Sequence, residues 1–183
     1  SKFEIFSSVI RQLSPHAGEW MEPGKPIRVS VEDTRDIPTL NFPYGNVPII
    51  YTSAGIKRIL GLAYLLMWTW YEHTQASKLR QQEPIDQIVF LIDEVEAHLH
   101  PAWQRSILPA ILEVVKGLQN EMKIQLIATT HSPLVLASIE PEFDEEQDKL
   151  FLFELHGKDV TLNQVPWAKH GDAVGWLTSD IFG

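Results

Sequence analysis

Two adjacent carboxylates, Asp93 and Glu94, directly follow five consecutive apolar residues, 88–92. The apolar run predicts a short strand that is buried on both faces of a parallel sheet. Ligands of open parallel sheets bind beyond the carboxyl ends of the strands, so the acids are placed at the edge of a candidate site. One carboxylate could hold a hard cation such as Mg²⁺, and the other could accept a proton from an attacking water. An acidic pair alone more often just ends a strand, so the neighbouring segments decide between these interpretations.

A second polar cluster follows a second apolar segment. Residues 123–128 predict another buried strand, and residues 129–133 come directly after it, with His131 as the candidate for sensing charge. A single histidine at such a place is more often structural. A crossover that contains a helix separates the two segments, so strands 88–92 and 124–129 are predicted to be adjacent and parallel. This arrangement brings both polar clusters to one edge of a sheet.

The start of a long apolar helix offers a third group. Ser53 is a candidate N-cap, and Lys57 lies close behind it. Ala54 and Gly55 carry little or no side chain, so the backbone there can approach a ligand. A helix N-terminus with a hydroxyl and basic side chains favours anions, although the same residues also suit an ordinary capped helix. The apolar run of this helix, 59–71, is too short to span a membrane.

The composition is that of one globular domain, with 183 residues, 44% of them hydrophobic and 21% charged. A formal net charge of −9 argues against a broad basic face for nucleic acid. The chain has no cysteine, which excludes disulfides and thiolate chemistry and fits a reducing compartment. We predict a cytoplasmic protein without a membrane span.

The flanking segments predict supporting elements. Apolar residues at helical spacing predict a lead-in helix over 3–13, and residues 27–31 alternate like a half-exposed strand. Pro109 should kink a helix near Arg105, whose carbonyl group it crowds. Residues 149–165 predict a terminal hairpin.

The Gly-containing segment 17–26 does not match a phosphate-binding loop. That loop needs four residues between its glycines and a Ser or Thr after the Lys. Here five residues separate Gly18 from Gly24, and Pro26 follows Lys25. We interpret the segment as a turn.

Taken in order, the motifs resemble a known family. The capped Ser-Ala-Gly helix, the strand ending in Asp-Glu and the strand ending in Thr-Thr-His-Ser-Pro are similar to the C-terminal half of an ATP-binding-cassette-type ATPase head. The branch is the one shared by RecF-, SMC- and OLD-like proteins, and the run 93–101 resembles the AAA-type ATPases of bacterial defence and repair systems. The resemblance covers residues 47–139. It implies an α/β fold: a partial P-loop NTPase with a mainly parallel sheet flanked by helices, plus a C-terminal β-hairpin.

The resemblance implies roles for individual residues. Asp93 matches the Walker B acid that supports Mg²⁺, and Glu94 matches the general base that polarises the attacking water. His131 matches the switch histidine, which contacts the γ-phosphate and this water. Residues 96–100 occupy the place of the loop that crosses the dimer interface. The signature motif, which in this family contacts ATP held by the opposite protomer, corresponds to Ser53, Ala54, Gly55 and Lys57.

The implied cofactors are ATP and Mg²⁺, and the implied assembly is a homodimer through ATP-sandwiched heads. An effector nuclease is a candidate partner, and DNA is a candidate only through the full-length protein, because this segment is acidic. No Walker A loop occurs in the sequence, so we expect a fragment that is inactive alone. Residues 1–46 are then a lead-in region, lid or linker, and residues 47–183 form the C-terminal half of an ATPase core.

Two other interpretations stay open. In the first, the chain keeps the ATPase fold but serves as a non-catalytic dimerisation or partner-docking module. In the second, it is a metal-dependent hydrolase, because a His-x-His pair beside acids suits zinc or manganese. The ligands in that case would be Asp93, Glu94, Glu96, His98 and His100.

Overall fold

The computed structural model describes residues 2–14, 18, 20–118 and 123–182. Its helices are α1 (Lys2–Gln12), α2 (Ala54–Leu79), α3 (Pro101–Gln104), α4 (Ile107–Leu118), α5 (Pro133–Ile139) and α6 (Ala173–Leu177). Its strands are β1 (Glu22–Pro23), β2 (Ile27–Arg28), β3 (Asp36–Ile37), β4 (Thr39–Phe42), β5 (Gly45–Pro48), β6 (Gln87–Ile92), β7 (Lys123–Ala128), β8 (Leu150–His156) and β9 (Asp159–Val165).

The lead-in helix α1 forms as predicted, because its apolar residues gather on one side. Val9 and Ile10 are buried in the main core together with Leu13, which follows the helix. Leu40 of β4 and Ile59 of α2 belong to the same core cluster. The lead-in region and the following elements therefore share one core, and the proposed division of the chain at residue 46 stays a prediction.

The strand predicted over residues 27–31 is shorter than expected. It pairs with β3 only as far as Arg28. Val31 is 99% exposed, so its side chain has no packing that would favour a strand. Of the turn predicted over 17–26, residues 17 and 19 lie outside the described residues, and β1 occupies part of the rest. β1, β4 and β5 form an antiparallel sheet in the order β1-β4-β5.

The capped helix α2 is longer than its apolar run. Ser53 is the N-cap, and the helix continues for 26 residues. Ile59, Ala63 and Leu66 recur at helical spacing and are buried on the side that faces the core. Among the helices of the described residues, none is long and apolar enough to cross a membrane.

Strands β6 and β7 are adjacent and parallel, as predicted, with Ile88 opposite Ile124 and Ile92 opposite Ala128. The crossover between them contains α3 and α4. Parallel neighbours need such a connection, because the chain must return to the first end of the sheet. The carboxyl ends of both strands, and the polar clusters that follow them, therefore lie at the same edge.

The prediction that these strands are buried on both faces is wrong for the described structure. Alternate side chains point to opposite faces, and only the face that includes Phe90 and Leu126 packs on the core. The outer face, formed by Val89, Leu91, Gln125 and Ile127, is exposed, and Leu91 has 72% of its surface accessible. Within the described part of the chain, β6 and β7 pair only with each other.

The helix after the central strand is broken where a kink was predicted. α3 ends at Gln104, and α4 begins at Ile107. Pro109 lies in the first turn of α4, where its missing N–H costs no helical hydrogen bond. Arg105 and Ser106 form the break, which places Pro109 at the start of a new helix.

The C-terminal hairpin is confirmed. β8 and β9 are antiparallel, and Gly157 adopts a φ of +67° in the two-residue turn between them. Beyond the hairpin, α6 packs against α5. The buried Glu140 carboxylate holds this contact, because it accepts a hydrogen bond of 2.6 Å from Trp176 Nε1.

Candidate functional site

The two acids lie directly beyond the end of β6, and both side chains are exposed. A single hydroxyl group, that of Thr129, links the Asp93 side chain to the Glu94 backbone. Thr129 Oγ1 donates to Asp93 Oδ1 at 2.5 Å and accepts from the Glu94 N–H group at 2.7 Å. Thr129 follows β7, so the parallel pairing of the two strands places it here. The hydroxyl orients one Asp93 oxygen and fixes the Glu94 backbone next to it.

Backbone hydrogen bonds continue this pairing past the regular ladder. The Thr129 N–H group donates to the Ile92 carbonyl oxygen at 3.0 Å, and the Val95 N–H group donates to the Thr129 carbonyl oxygen at 3.0 Å. Val95 is also buried, which anchors the loop in the core. The segment that contains the acids is therefore fixed against the segment that leads to His131.

The backbone of Glu94 is left-handed, with a φ of +46°. For a residue with a side chain this conformation costs about 1 kcal/mol or more, so the surroundings must hold it. Arg58, in the second turn of α2, donates to the Asp93 carbonyl oxygen at 3.0 Å and to the Glu94 carbonyl oxygen at 2.7 Å. The beginning of α2 is thereby attached to the peptide units of both acids.

The next acid, Glu96, connects the two loops a second time. Its Oε2 accepts from the Thr130 hydroxyl at 2.6 Å, and its Oε1 accepts from the His131 N–H group at 2.5 Å. The His131 side chain is exposed. The structure thus fixes the backbone of His131 and leaves its imidazole accessible at the sheet edge.

The loops are also attached to the helices that follow them. Ser132 caps α5 by accepting from the Leu134 N–H group at 3.2 Å, and its hydroxyl donates to Gln104 Oε1 at 2.7 Å. The amide nitrogen of Gln104 donates to the Leu99 carbonyl oxygen at 2.9 Å. We call residues 129–133, which follow β7, the switch segment. The end of α3 therefore joins the switch segment to the loop of residues 96–100.

The predicted signature residues occupy the start of α2. The Ser53 hydroxyl accepts from the Ile56 N–H group at 3.3 Å, and both Ser53 and Ala54 are exposed. Gly55 is buried, and a Cβ at this position would lie 2.5 Å from the His98 carbonyl oxygen. The close approach at Gly55 is thus to a loop of the same chain. Lys57 Nζ donates to a backbone carbonyl group, that of Ile50, at 3.1 Å.

The residues of the alternative metal-hydrolase site have other partners. His100 Nδ1 caps α3 by accepting from the Ala102 N–H group at 3.2 Å, and both Glu96 oxygens accept internal hydrogen bonds. His98 is exposed and has a φ of +63°. Among the described residues, no group of three or more His, Asp or Glu side chains could hold a metal ion.

Asp93 and Ser53 suit a magnesium-bound phosphate chain. Mg²⁺ is commonly held by one or two carboxylates together with water and phosphate oxygens, and the exposed Asp93 carboxylate, oriented by Thr129, has the chemistry of such a ligand. The exposed Ser53 hydroxyl at the start of a 26-residue helix suits an anionic group. These residues fit ATP and Mg²⁺ by their chemistry.

Sequence reasoning missed the residues that hold the acids in place. Arg58 is one of the basic residues near the start of α2, and Thr129 and Thr130 belong to the polar cluster after β7, but the sequence assigns none of the three a role in holding the acids. The available signal was their position, since both threonines directly follow β7 and Arg58 lies one turn beyond the helix cap. Their acceptors are identified only by the tertiary structure.

A protein-family model described as "AAA domain, putative AbiEii toxin, Type IV TA system" matches residues 31–137. The match covers more than half of the 183 residues and includes every predicted site residue, from Ser53 to His131. The chain therefore belongs to this AAA-domain family.

Curated relatives match smaller parts of longer proteins. Septu protein PtuA of Bacillus mycoides (strain KBAB4) is 37% identical over 97 residues, which are 52% of this chain and 12% of that protein. Septu protein PtuA of Bacillus thuringiensis is 29% identical over 150 residues, 81% of this chain and 34% of that protein. The "Retron Ec83 probable ATPase" of Escherichia coli is 43% identical over 54 residues, 30% of this chain and 9% of that protein. The matched regions thus span between 9% and 34% of the length of these relatives.

A solved structure described as "Structural biochemistry of ATP-driven dimerization and DNA stimulated activation of SMC ATPases" is similar in fold. It has a TM-score of 0.52 at 17% sequence identity, and the similarity covers 90% of this chain and 83% of that chain. At this identity the likeness establishes the fold. With the family match, it confirms the predicted α/β fold of an ABC/SMC-like ATPase head.

Proposed function

We propose that this chain supplies the magnesium-supporting acid, the general base and the switch histidine of an ATP-hydrolysing ABC/SMC-like ATPase. The observation that carries the proposal is the Thr129 hydroxyl, which holds one Asp93 oxygen and the Glu94 backbone at the end of parallel strands. The Asp93 carboxylate and the backbone that carries Glu94 are thereby held in a defined position relative to each other, which favours two groups with different tasks in one reaction.

In this proposal Glu94 accepts a proton from the water that attacks the γ-phosphate. Asp93 supports Mg²⁺, which supplies positive charge beside the phosphate oxygens when it is bound. His131 contributes a donor from the neighbouring loop, whose backbone Glu96 holds. Positioned water and donors directed at the γ-oxygens are the main requirements of phosphoryl transfer.

The signature residues Ser53, Ala54, Gly55 and Lys57 would contact ATP across a homodimer of ATP-sandwiched heads. The close contact of Gly55 with His98 supports this assembly, because it joins the signature to the loop of residues 96–100. Both elements would then face the opposite protomer together. The printed sequence contains no Walker A loop, so ATP binding needs a segment beyond these 183 residues.

We place the full-length protein in bacterial defence, because two relatives are Septu proteins and a third is the "Retron Ec83 probable ATPase". The family description, which names a type IV toxin–antitoxin system, supports the same setting. An effector nuclease is the partner we propose for it. DNA remains a proposed partner of the full-length protein alone, since this segment has a net charge of −9.

The decisive experiment replaces the proposed base in the full-length protein. Glu94→Gln keeps size and hydrogen bonding but loses the proton acceptor, so kcat for ATP should fall by about 10²- to 10⁴-fold while ATP binding is retained. Glu83→Gln, an exposed glutamate between α2 and β6, is the matched control and should behave like the wild type. Undiminished hydrolysis by Glu94→Gln would contradict the proposal, and a full-length protein without any ATPase activity would favour a non-catalytic module.

A further inference from the structure

We infer that Glu96 is a positioning residue for His131, acting as the hydrogen-bond acceptor that holds the switch segment against the loop of the acids. This role rests on the proposed function, because it affects turnover only if His131 acts on bound nucleotide. The family resemblance gives Glu96 no individual role, and the structure assigns one through its contacts.

The Glu96 carboxylate is linked to three successive residues of the switch segment, two directly and one through Thr130. Glu96 Oε1 accepts from the His131 N–H group at 2.5 Å, and Oε2 accepts from the Thr130 hydroxyl at 2.6 Å. The Thr130 oxygen in turn accepts from the Ser132 N–H group at 3.0 Å. Displacement of the Glu96 side chain would therefore free the His131 N–H group and the Thr130 hydroxyl, to which the Ser132 N–H group is bonded.

The backbone of Glu96 is itself well anchored. Val95 and Leu99 are buried on either side of it, and the Leu99 N–H group donates to the Glu96 carbonyl oxygen at 2.9 Å. Glu96 is half-buried, so its hydrogen bonds are less screened by water than those of a surface residue. An anchored carboxylate that accepts two hydrogen bonds is suited to fixing another loop.

The same contacts separate this role from a metal-binding or general-base role. Both Glu96 oxygens already accept hydrogen bonds from donors of the same chain, so a metal ion or an attacking water would have to compete with these donors. Glu96 is therefore needed as an acceptor, and its negative charge is secondary. A substitution that keeps an acceptor but removes the charge distinguishes the two roles.

The experiment compares Glu96→Gln with Glu96→Met in the full-length protein. Glutamine can still accept from the His131 N–H group, and the Thr130 hydroxyl can serve as acceptor for its amide, so kcat should stay within about threefold of the wild type. Methionine has a similar length but no oxygen, and kcat should fall by about 10- to 100-fold, with a much smaller change in the KM for ATP. Equal, severe losses in both variants would show that the charge matters and would overturn the assignment. Wild-type turnover by Glu96→Met would overturn it as well.

Hydrogen exchange of the peptide covering residues 129–134 tests the contact without assuming any catalytic role. Glu96→Met should exchange faster there and unchanged in β6, whereas Glu96→Gln should match the wild type. Thr130→Val removes one of the two Glu96 hydrogen bonds together with the acceptor of the Ser132 N–H group, so the peptide should exchange faster than in the wild type, with Thr130→Ser as its control. Unchanged exchange in Glu96→Met would overturn the positioning role even if Glu94→Gln abolishes hydrolysis. Conversely, faster exchange together with normal hydrolysis by Glu94→Gln would mean that the proposed function fails and the structural contact stands.

Discussion

Two regions of strands β6 and β7 differ in how their side chains are satisfied: the polar carboxyl ends and the apolar outer face. At the ends, the polar groups find partners within the chain: Thr129 serves both Asp93 and Glu94, and Glu96 serves Thr130 and His131. The acids and the switch segment thus form a connected set of hydrogen bonds. Two short loops supply most of the contacts that organise this edge of the sheet, and Arg58 of α2 and Gln104 of α3 add to them.

Among the described residues, no element packs on the apolar outer face of β6 and β7. Val89 and Leu91 of β6 are 56% and 72% exposed, and Ile127, which lies opposite Leu91, is 45% exposed. A polar site can be ordered by a few local hydrogen bonds, but an apolar face is stabilised only by area removed from water. The curated relatives are much longer than this chain, so we expect further parts of the full-length protein to cover this face.

The largest expected effect is on stability, and it tests whether the outer face of β6 and β7 is covered in the full-length protein. Leu91→Asp in the full-length protein should lower the free energy of unfolding by about 3 kcal/mol or more, because an unpaired charge would be buried. In the chain of residues 1–183, the same substitution should change it by less than about 0.5 kcal/mol. Denaturant unfolding of both proteins measures the difference.

Gln125→Asp on the same face is the control, because the position is already polar. It should disturb the full-length protein less than Leu91→Asp does. Small effects of Leu91→Asp in both proteins would remove the contrast between the two sides of the sheet, since the outer face would then be exposed in the full-length protein as well.

The next largest effect tests the organisation of the site edge. Thr129→Val keeps the shape of the side chain but removes the hydroxyl, which leaves the Glu94 N–H group unpaired and Asp93 unoriented. We expect kcat of the full-length protein to fall by about 10- to 100-fold and the Mg²⁺ requirement to rise. Titration of ATPase activity with Mg²⁺ measures both quantities.

Thr129→Ser retains the hydroxyl and should stay within about threefold of the wild type. If valine and serine were equally active, the hydroxyl bridge would have no part in the reaction. The acids would then be positioned by the backbone hydrogen bonds and by Arg58.

The parallel pairing at the site was predictable because it follows from local patterns. Two apolar runs and a crossover with a helix leave little choice of topology, and this topology brings Asp93 and His131 to one sheet edge. The cap at Ser53 and the helix break before Pro109 follow from chemistry within one turn of the residue. Such features depend on short stretches of sequence.

The wrong burial prediction for β6 and the unpredicted contacts of Arg58 and Glu96 share a cause, which is their dependence on distant parts of the chain. The apolar run of β6 predicts side chains that avoid water, but it does not show which segment covers each face. Arg58 and Glu96 act on backbone groups about 35 residues away, and a backbone acceptor or donor has no signature in the sequence. Their roles depend on how α2 and the loops are arranged in space.

The smallest expected effect concerns the link between α2 and the acids. Arg58→Met keeps the aliphatic part of the side chain but leaves the Asp93 and Glu94 carbonyl oxygens without their shared donor. Because Arg58 is only half-buried and water can replace part of the interaction, the loss should be near 1 kcal/mol, or about fivefold in kcat. Arg58→Lys can reach one carbonyl oxygen and should fall between the wild type and Arg58→Met in steady-state ATPase assays. A loss as large as that of Thr129→Val would instead mean that the left-handed backbone of Glu94 depends mainly on α2, so the two loops would no longer be the main organisers of the site edge.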